Sequence, residues 1–381
     1  MVDYNKFIEL IELCNDANVL YYPDNFIRLI HEDSVKQNVL QLPNPLFVTW
    51  DVTSKCNLSC LFCSASAKHC EKQEHNKNAM LIANKIIEWG AIYVSLRGGE
   101  PSLMFELSEV TSLFLKNGIF VEIVTNGSYI DDAFFESLGE FEHSKLRIKI
   151  SCDSYIQEHN DKIRGTNSYL YAMNAMKSCK KHSINFRLQM VVCSINKNDI
   201  LGTYELADKM GAKSFGPILV IPAGRGRTSP TRIELDNDIM DDLIFIKKHQ
   251  GNAILEKIGM GTQAMLLYKE MLKQNTNTAS RAEELHALKC NGGKSRVYVN
   301  ELGDVFPCEL MQYKKFLMGN LLSNSNEEIW NSVPCSEFNA IKRSDISGCK
   351  DCSNYACDTG CYALIYENEQ KGGKSSPCCM L

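Results

Sequence analysis

From about residue 47 to 250 the chain alternates two patterns: short apolar blocks at strand spacing, and longer stretches with apolar residues at helical spacing. Strand-like blocks fall at 47–53, 92–96, 119–125, 146–151, 185–192 and 214–220. Helical patterns lie between them, near 79–89, 104–116, 131–138, 169–182 and 199–210. Gly118 and Gly211 stand where helix C-caps belong, and Asp131 where an N-cap belongs. Strands separated by helices pair in parallel through right-handed crossovers. Six such units predict an α/β fold, a partial (β/α)6 barrel or a curved open sheet, with its chemistry at the C-terminal ends of the strands.

The flanks read differently. Residues 3–20 carry Phe7, Ile8, Leu10, Ile11 and Leu13 as a broad apolar stripe, which predicts a helix packed on the outside of the barrel. Pro43 and Pro45 punctuate the approach to the first strand. Residues 223–232, rich in Gly, Pro and Arg, read as a linker out of the sixth strand. The stretch 235–273 reads as helical, with an ambiguous part around 251–262, and 275–280 reads as a polar loop. After Leu288 turns and cysteines take over. The expected division is an N-terminal extension at 1–46, the barrel with its linker helices at 47–288, and a cysteine-rich domain at 289–381.

Composition narrows the class. The 381 residues are 44% hydrophobic and 23% charged, as in ordinary globular proteins. A net charge of −5 gives no basic field for nucleic acid. No apolar run is long enough to span a bilayer, and the N-terminal stretch lacks the basic-then-apolar pattern of a secretory signal. Seventeen cysteines, nine of them after residue 289, are then better explained by metal ligation in a reducing, low-oxygen cytoplasm than by disulfides.

The chemistry concentrates first at DVTSKCNLSCLFCS, residues 51–64, where Cys56, Cys60 and Cys63 are separated by three and then two residues. Three converging thiolates suit three corners of a cubane iron–sulfur cluster and leave its fourth iron bare. A zinc site or three buried cysteines are the alternatives, although structural zinc prefers four ligands in two pairs. After the second strand come Arg97, Gly98, Gly99, Glu100 and Pro101. Two glycines let backbone approach a ligand closely, and a carboxylate can receive an ammonium group.

Cys-x3-Cys-x2-Cys with Phe62 before its third cysteine resembles the signature of radical S-adenosylmethionine (radical SAM) enzymes, and the resemblance extends from about residue 47 to the end. It implies that the SAM amino and carboxylate groups chelate the bare iron. One electron then cleaves the sulfonium to a 5′-deoxyadenosyl radical, which abstracts a substrate hydrogen. It implies further that Gly98, Gly99, Glu100 and Pro101 face the methionine amino group, and that Asn126, Ser151 and Asp153 line the SAM pocket. Arg164 is expected to clamp the carboxylate, and Asn196 to lie near the adenosine.

The C-terminal run resembles the SPASM extension of the same family. Its marks are Gly303, Pro307-Cys308, Gly319-Asn320 and Ile329-Trp330, followed by Cys-x2-Cys-x4-Cys-x3-Cys. Ser325 and Glu328 form a capping-box pattern ahead of Trp330. The resemblance implies one or two auxiliary clusters. Cys290, Cys308 and Cys361 would hold the near one; Cys349, Cys352 and Cys357, with Cys378 or Cys379, would hold the far one. Zinc knuckles are the alternative. Glu309 matches an acidic residue that serves some relatives as a base. Cys14, Cys70, Cys152, Cys179, Cys193 and Cys335 read as small buried hydrophobes.

By this analogy the substrate is a ribosomally made peptide, oxidatively crosslinked by a thioether or carbon–carbon bond, with a flavodoxin or ferredoxin as electron donor and no nucleic-acid or membrane partner. A tetrapyrrole or cofactor precursor is the second expectation, compatible with the short stretch before the first strand. A non-catalytic electron-transfer protein is the third.

Overall fold

The computed structural model describes residues 42–249, 251–255, 290–350 and 361–372. The helix expected at 3–20, the loop at 275–280, and Cys14, Cys352, Cys357, Cys378 and Cys379 lie outside them.

The first strand, β1 (Phe47–Thr53), sends Val48, Trp50 and Val52 into the main hydrophobic core. The same period-2 pattern repeats in β4 (Tyr93–Gly98), β5 (Phe120–Thr125), β6 (Leu146–Ser151), β7 (Asn185–Val192) and β8 (Ser214–Leu219). Their apolar face meets a helix layer made of α1 (Ala79–Glu88), α2 (Leu107–Lys116), α3 (Asp132–Ser137), α5 (Ser168–Lys181) and α6 (Ile200–Met210). Trp50, for example, meets Phe114 of α2 edge to face at 6.4 Å. All neighbours from β1 to β8 pair in parallel. Asp131 caps α3 by accepting from the Phe134 amide, and Gly211 ends α6 at φ +90°.

The six expected strands and five intervening helices are all present. Several other described elements had no readable pattern. Helix α4 (Gln157–Arg164) carries a single aliphatic residue, Ile163, so it has no apolar stripe. Strand β9 (Ile254–Leu255) has two residues, too few to alternate, and follows α7 (Asn237–Lys248) to pair in parallel with β8. Strand β10 (Arg296–Val299) pairs in parallel with β1, across almost 250 residues of chain.

β10 carries the sheet past residue 289. It continues antiparallel through β11 (Asp304–Phe306) and β12 (Gly319–Asn320), giving, among the described residues, ten strands in the order β12-β11-β10-β1-β4-β5-β6-β7-β8-β9. The cysteine-rich region is thereby attached to the barrel by backbone hydrogen bonds. Its helix α8 (Asn326–Trp330) starts at a complete Ser325–Glu328 capping box, and Trp330 Nε1 donates to the Leu42 carbonyl at 2.8 Å. Helices α9 (Val333–Ala340) and α10 (Tyr362–Glu369) complete the described region.

The other face of the sheet is aromatic at its start and polar beyond. Phe47, Tyr93 and Phe120 line its start, with ring centroids 6.3 and 5.5 Å apart. Above them Arg147 binds Glu122, and Tyr298 donates to Asp51 at 2.8 Å.

Candidate active site

The turn from β1 passes through a short ladder between β2 (Lys55–Cys56) and β3 (Lys68–His69), which closes the cysteine loop at its base. Cys56, Cys60 and Cys63 share one small apolar cluster with Leu58 and Ala67. Burial pushes the Cys56 thiol up to about 12, helped by Glu100, and raises Cys60 in the same direction. Among the described residues, no three Cys, His, Asp or Glu side chains are close enough to hold a single metal ion. A cubane makes a different demand, since each thiolate binds its own iron.

The 98–101 turn is pressed against that loop. Gly99 N donates to the Thr53 carbonyl and Glu100 N to the Lys55 carbonyl, at 2.8 and 2.7 Å. A Cβ on Gly98 would fall 2.1 Å from the Thr53 oxygen, and one on Gly99 2.0 Å from the Lys55 oxygen. Both positions therefore require glycine.

The Glu100 carboxylate is buried and used within the protein. One oxygen accepts from Ser102 N, Ser102 Oγ and Thr125 Oγ1; the other accepts from Asn126 N at 2.6 Å. Burial raises its pKa, and these donors hold the rise back. The side chain expected to receive an ammonium group thus staples the ends of β4 and β5 together. Asn126 continues the staple, donating to Asn57 at 2.9 Å and reaching the Cys56 sulfur at 3.9 Å.

On the far side of the loop, Arg164 ends α4. Its guanidinium pairs with Asp153 at 2.9 Å and acts electrostatically on Cys60 and Cys56. Its Nε is buried without a hydrogen-bond partner among the described residues. A buried orphan donor beside the Cys56 and Cys60 thiols fits an anionic group placed there, whether a cluster thiolate or a carboxylate. Asp153 is fixed in turn by the Val191 amide at 2.8 Å. Asn196 spends its amide on the Asp153 and Val191 carbonyls and accepts from Cys193 N, so its side chain serves to orient Asp153. Ser151 is half-buried at the end of β6. Phe62 packs with Ile163, Cys193 and Val220.

A second cysteine group forms in the C-terminal region. Cys290, Cys308 and Cys361 come from three separate segments, share one hydrophobic cluster and interact electrostatically with one another. Cys349 packs with Ile346 and Ile365 in a cluster that Cys290 also borders.

Between the two groups lies an ionic chain that the sequence did not reveal. Glu309 accepts from Arg97 of β4 and from Arg296 of β10, each at 3.0 Å, and Arg296 also reaches Thr49. Burial favours the neutral acid, but Arg296 and Arg97 outweigh it and hold Glu309 well below the usual carboxylate range. The two arginines thus occupy both oxygens of its carboxylate. Asp51, the register partner of Arg97 on β1, has its pKa raised to about 6 by burial, against the pull of Arg97 and Tyr298. Cys152, Cys179, Cys193 and Cys335 are buried, as expected, whereas Cys70 is half-exposed.

Residues 50–207 match the family model of the Radical SAM superfamily. The chain therefore carries a radical SAM domain. Residues 290–353 match the SPASM model, an iron–sulfur cluster-binding domain. Mycofactocin maturase MftC of Mycobacterium ulcerans is 24% identical over 338 residues, spanning 85% of each chain. The AdoMet-dependent heme synthase of Methanosarcina barkeri is 23% identical over 343 residues, 88% of this chain and 96% of that one. Among solved structures, Streptococcus suis SuiB, determined with S-adenosylmethionine and with its precursor peptide SuiA, overlays at a TM-score of 0.70 and 17% identity, covering 99% of this chain and 88% of SuiB. The radical SAM/SPASM chain is an enzyme whose cofactors are 4Fe-4S clusters and SAM. It cleaves SAM reductively to a 5′-deoxyadenosyl radical and takes a hydrogen atom from its substrate. No described helix is long and apolar enough to cross a membrane.

Proposed function

We propose that this radical SAM enzyme modifies a ribosomally made peptide by oxidative crosslinking, and that the loop at 56–63 is its catalytic centre. The observation that carries the assignment of the centre is the meeting of three elements: the three-cysteine cluster, the glycine turn pressed on its base, and the orphaned Arg164 donor beside it. Cys56, Cys60 and Cys63 would hold the SAM-binding cluster, with Phe62 as packing beneath the loop. Bound there, the cluster and SAM supply one-electron chemistry and a reactive carbon radical.

The chain's own residues bind, orient and exclude. Gly98, Gly99 and Pro101 present backbone to the methionine end, while Glu100 and Asn126 fix that backbone to the cysteine loop. Arg164 offers its unpartnered Nε–H to a carboxylate and is held in place by Asp153, itself oriented by Asn196. Ser151 supplies a hydroxyl at the barrel mouth. Cys290, Cys308 and Cys361 are the ligands we assign to the near auxiliary cluster. Cys349, Cys352 and Cys357, with Cys378 or Cys379, are assigned to the far one. We assign Glu309 to a fixed ion pair, since its two arginines occupy both oxygens of its carboxylate.

The peptide substrate is supported by the maturase names of relatives and by SuiB with its precursor peptide. A flavodoxin or ferredoxin in the reducing cytoplasm is the donor this chemistry calls for. Anaerobic co-expression with a precursor peptide encoded beside the enzyme tests the reading: a loss of two or more hydrogens by mass spectrometry supports it, and an unchanged peptide opposes it. The likeness to a heme synthase over 88% of the chain favours a tetrapyrrole as the second substrate class.

A further inference from the structure

The segment after β8, read from sequence as a linker, lies against the cysteine loop. Gly224 has φ +53°, and a Cβ there would stand 2.3 Å from the Ser64 oxygen and 2.4 Å from the Cys63 oxygen. Arg225 N donates to the Cys63 carbonyl at 2.9 Å. Its guanidinium Nε donates to the Cys60 carbonyl at 2.9 Å, and Nη1 to the Ala67 carbonyl at 3.2 Å. Gly226 packs where a Cβ would meet the Ile221 and Phe62 oxygens at 2.5 and 3.1 Å. Two residues after Arg225, Arg227 pairs with Glu367 on α10. That helix begins at Cys361, its N-cap, which stands with Cys290 and Cys308.

We infer that Gly224–Arg227 is a strap: Arg225 is a positioning residue that holds the 56–63 loop in its cluster-binding shape, and Arg227 ties that shape to the helix carrying Cys361. One planar guanidinium satisfies carbonyls from two points of the loop while its own amide satisfies a third, so the loop cannot open without breaking all three bonds. Lysine carries the charge but not the fork, and reaches one carbonyl at a time. Through Arg227, the seating of the C-terminal helix bears on the SAM-cluster loop without any residue in common.

The inference rests on the reading of 56–63 as a cluster site, and the test separates the two. The full-length chain is reconstituted anaerobically as wild type, R225A, R225K, R227E, E367R and the R227E/E367R pair. Two quantities are read: the electron paramagnetic resonance signal of the reduced protein that changes when SAM is added, and the rate of iron loss to a chelator. We expect R225A to release the iron of the SAM-responsive cluster about tenfold faster than wild type, with R225K between them, while the SAM-independent signal is retained. R227E and E367R should each speed the release, and the pair should return it toward wild type. Equal release from R225A and wild type overturns the strap. If R225A loses both signals, the charge swap decides, and a pair no better than its single variants overturns the strap. A wild-type protein with no SAM-responsive signal overturns the cluster reading instead.

Discussion

Replacing Glu100 by glutamine separates a ligand-binding role from a stapling one. Glutamine keeps the shape but must place its NH2 on one of two oxygens. The less damaging choice puts it against Asn126 N, which breaks one charge-assisted bond and sets two donors face to face. The three bonds to the other oxygen, from Ser102 N, Ser102 Oγ and Thr125 Oγ1, survive as neutral ones. A hydrogen bond to a charged group contributes about 1.5–3 kcal/mol, and neutral ones about half that strength. Relief from burying the charge offsets part of the loss, leaving a net cost of about 2–4 kcal/mol. Hydrogen exchange on the protein without SAM reads this locally. The Ser102 and Asn126 amides should exchange about 30-fold faster or more, with other core amides unchanged. Wild-type protection at both amides would refute the reasoning and return Glu100 to the role of an ammonium receiver.

Three further expectations follow from the same geometry. Gly99→Ala forces a Cβ into the Lys55 peptide, where the carbonyl oxygen and carbon lie at 2.0 and 2.3 Å. Overpacking against backbone should cost about 3 kcal/mol or more and abolish stable cluster assembly, read as iron per chain; wild-type iron content would contradict it. Asp51 binds its proton more tightly folded, at about 6, than at the usual 3.8, so the native state loses stability as pH rises from about 4 to about 6. The gap converts to about 3 kcal/mol at most, and Asp51→Asn should flatten that part of the pH–stability curve; parallel curves would contradict it. Glu309→Gln leaves Arg97 and Arg296 without their shared anion, which should cost about 1–3 kcal/mol in urea unfolding, and combining it with Arg97→Ala should give less than the sum of the two losses. Strict additivity would show that the ion pair is not formed.

The barrel strands and their helices were legible because each strand buries alternate residues on one face, as Val48, Trp50 and Val52 do. The cysteine loop and glycine turn were legible because their residue types are scarce elsewhere and their spacing is tight. What escaped was long-range. Nothing in RVYV at 296–299 announces that it pairs with Phe47 through Trp50. Arg97 is far in sequence from Arg296 and Glu309 and meets them only because β10 joins β1. Helix α4 lacks an apolar stripe, so Arg164 had no predicted element to stand on. Glycine and arginine at 224–227 gave the composition of a linker, and only the fold brings Arg225 onto the cysteine-loop carbonyls. Glu100 and Asn196 were legible as motif residues, but the partners that bury their polar atoms came only with the fold.

The most direct measurement is electron paramagnetic resonance of the anaerobically reconstituted, dithionite-reduced chain with and without SAM, beside a 5′-deoxyadenosine assay, in wild type and in the triple variant C56A/C60A/C63A. Wild type should show a cluster signal that SAM reshapes, with 5′-deoxyadenosine formed, and the triple variant should lose both while keeping a SAM-insensitive signal. A wild-type signal indifferent to SAM, or 5′-deoxyadenosine formed by the triple variant, would contradict the assignment of an open iron to Cys56, Cys60 and Cys63.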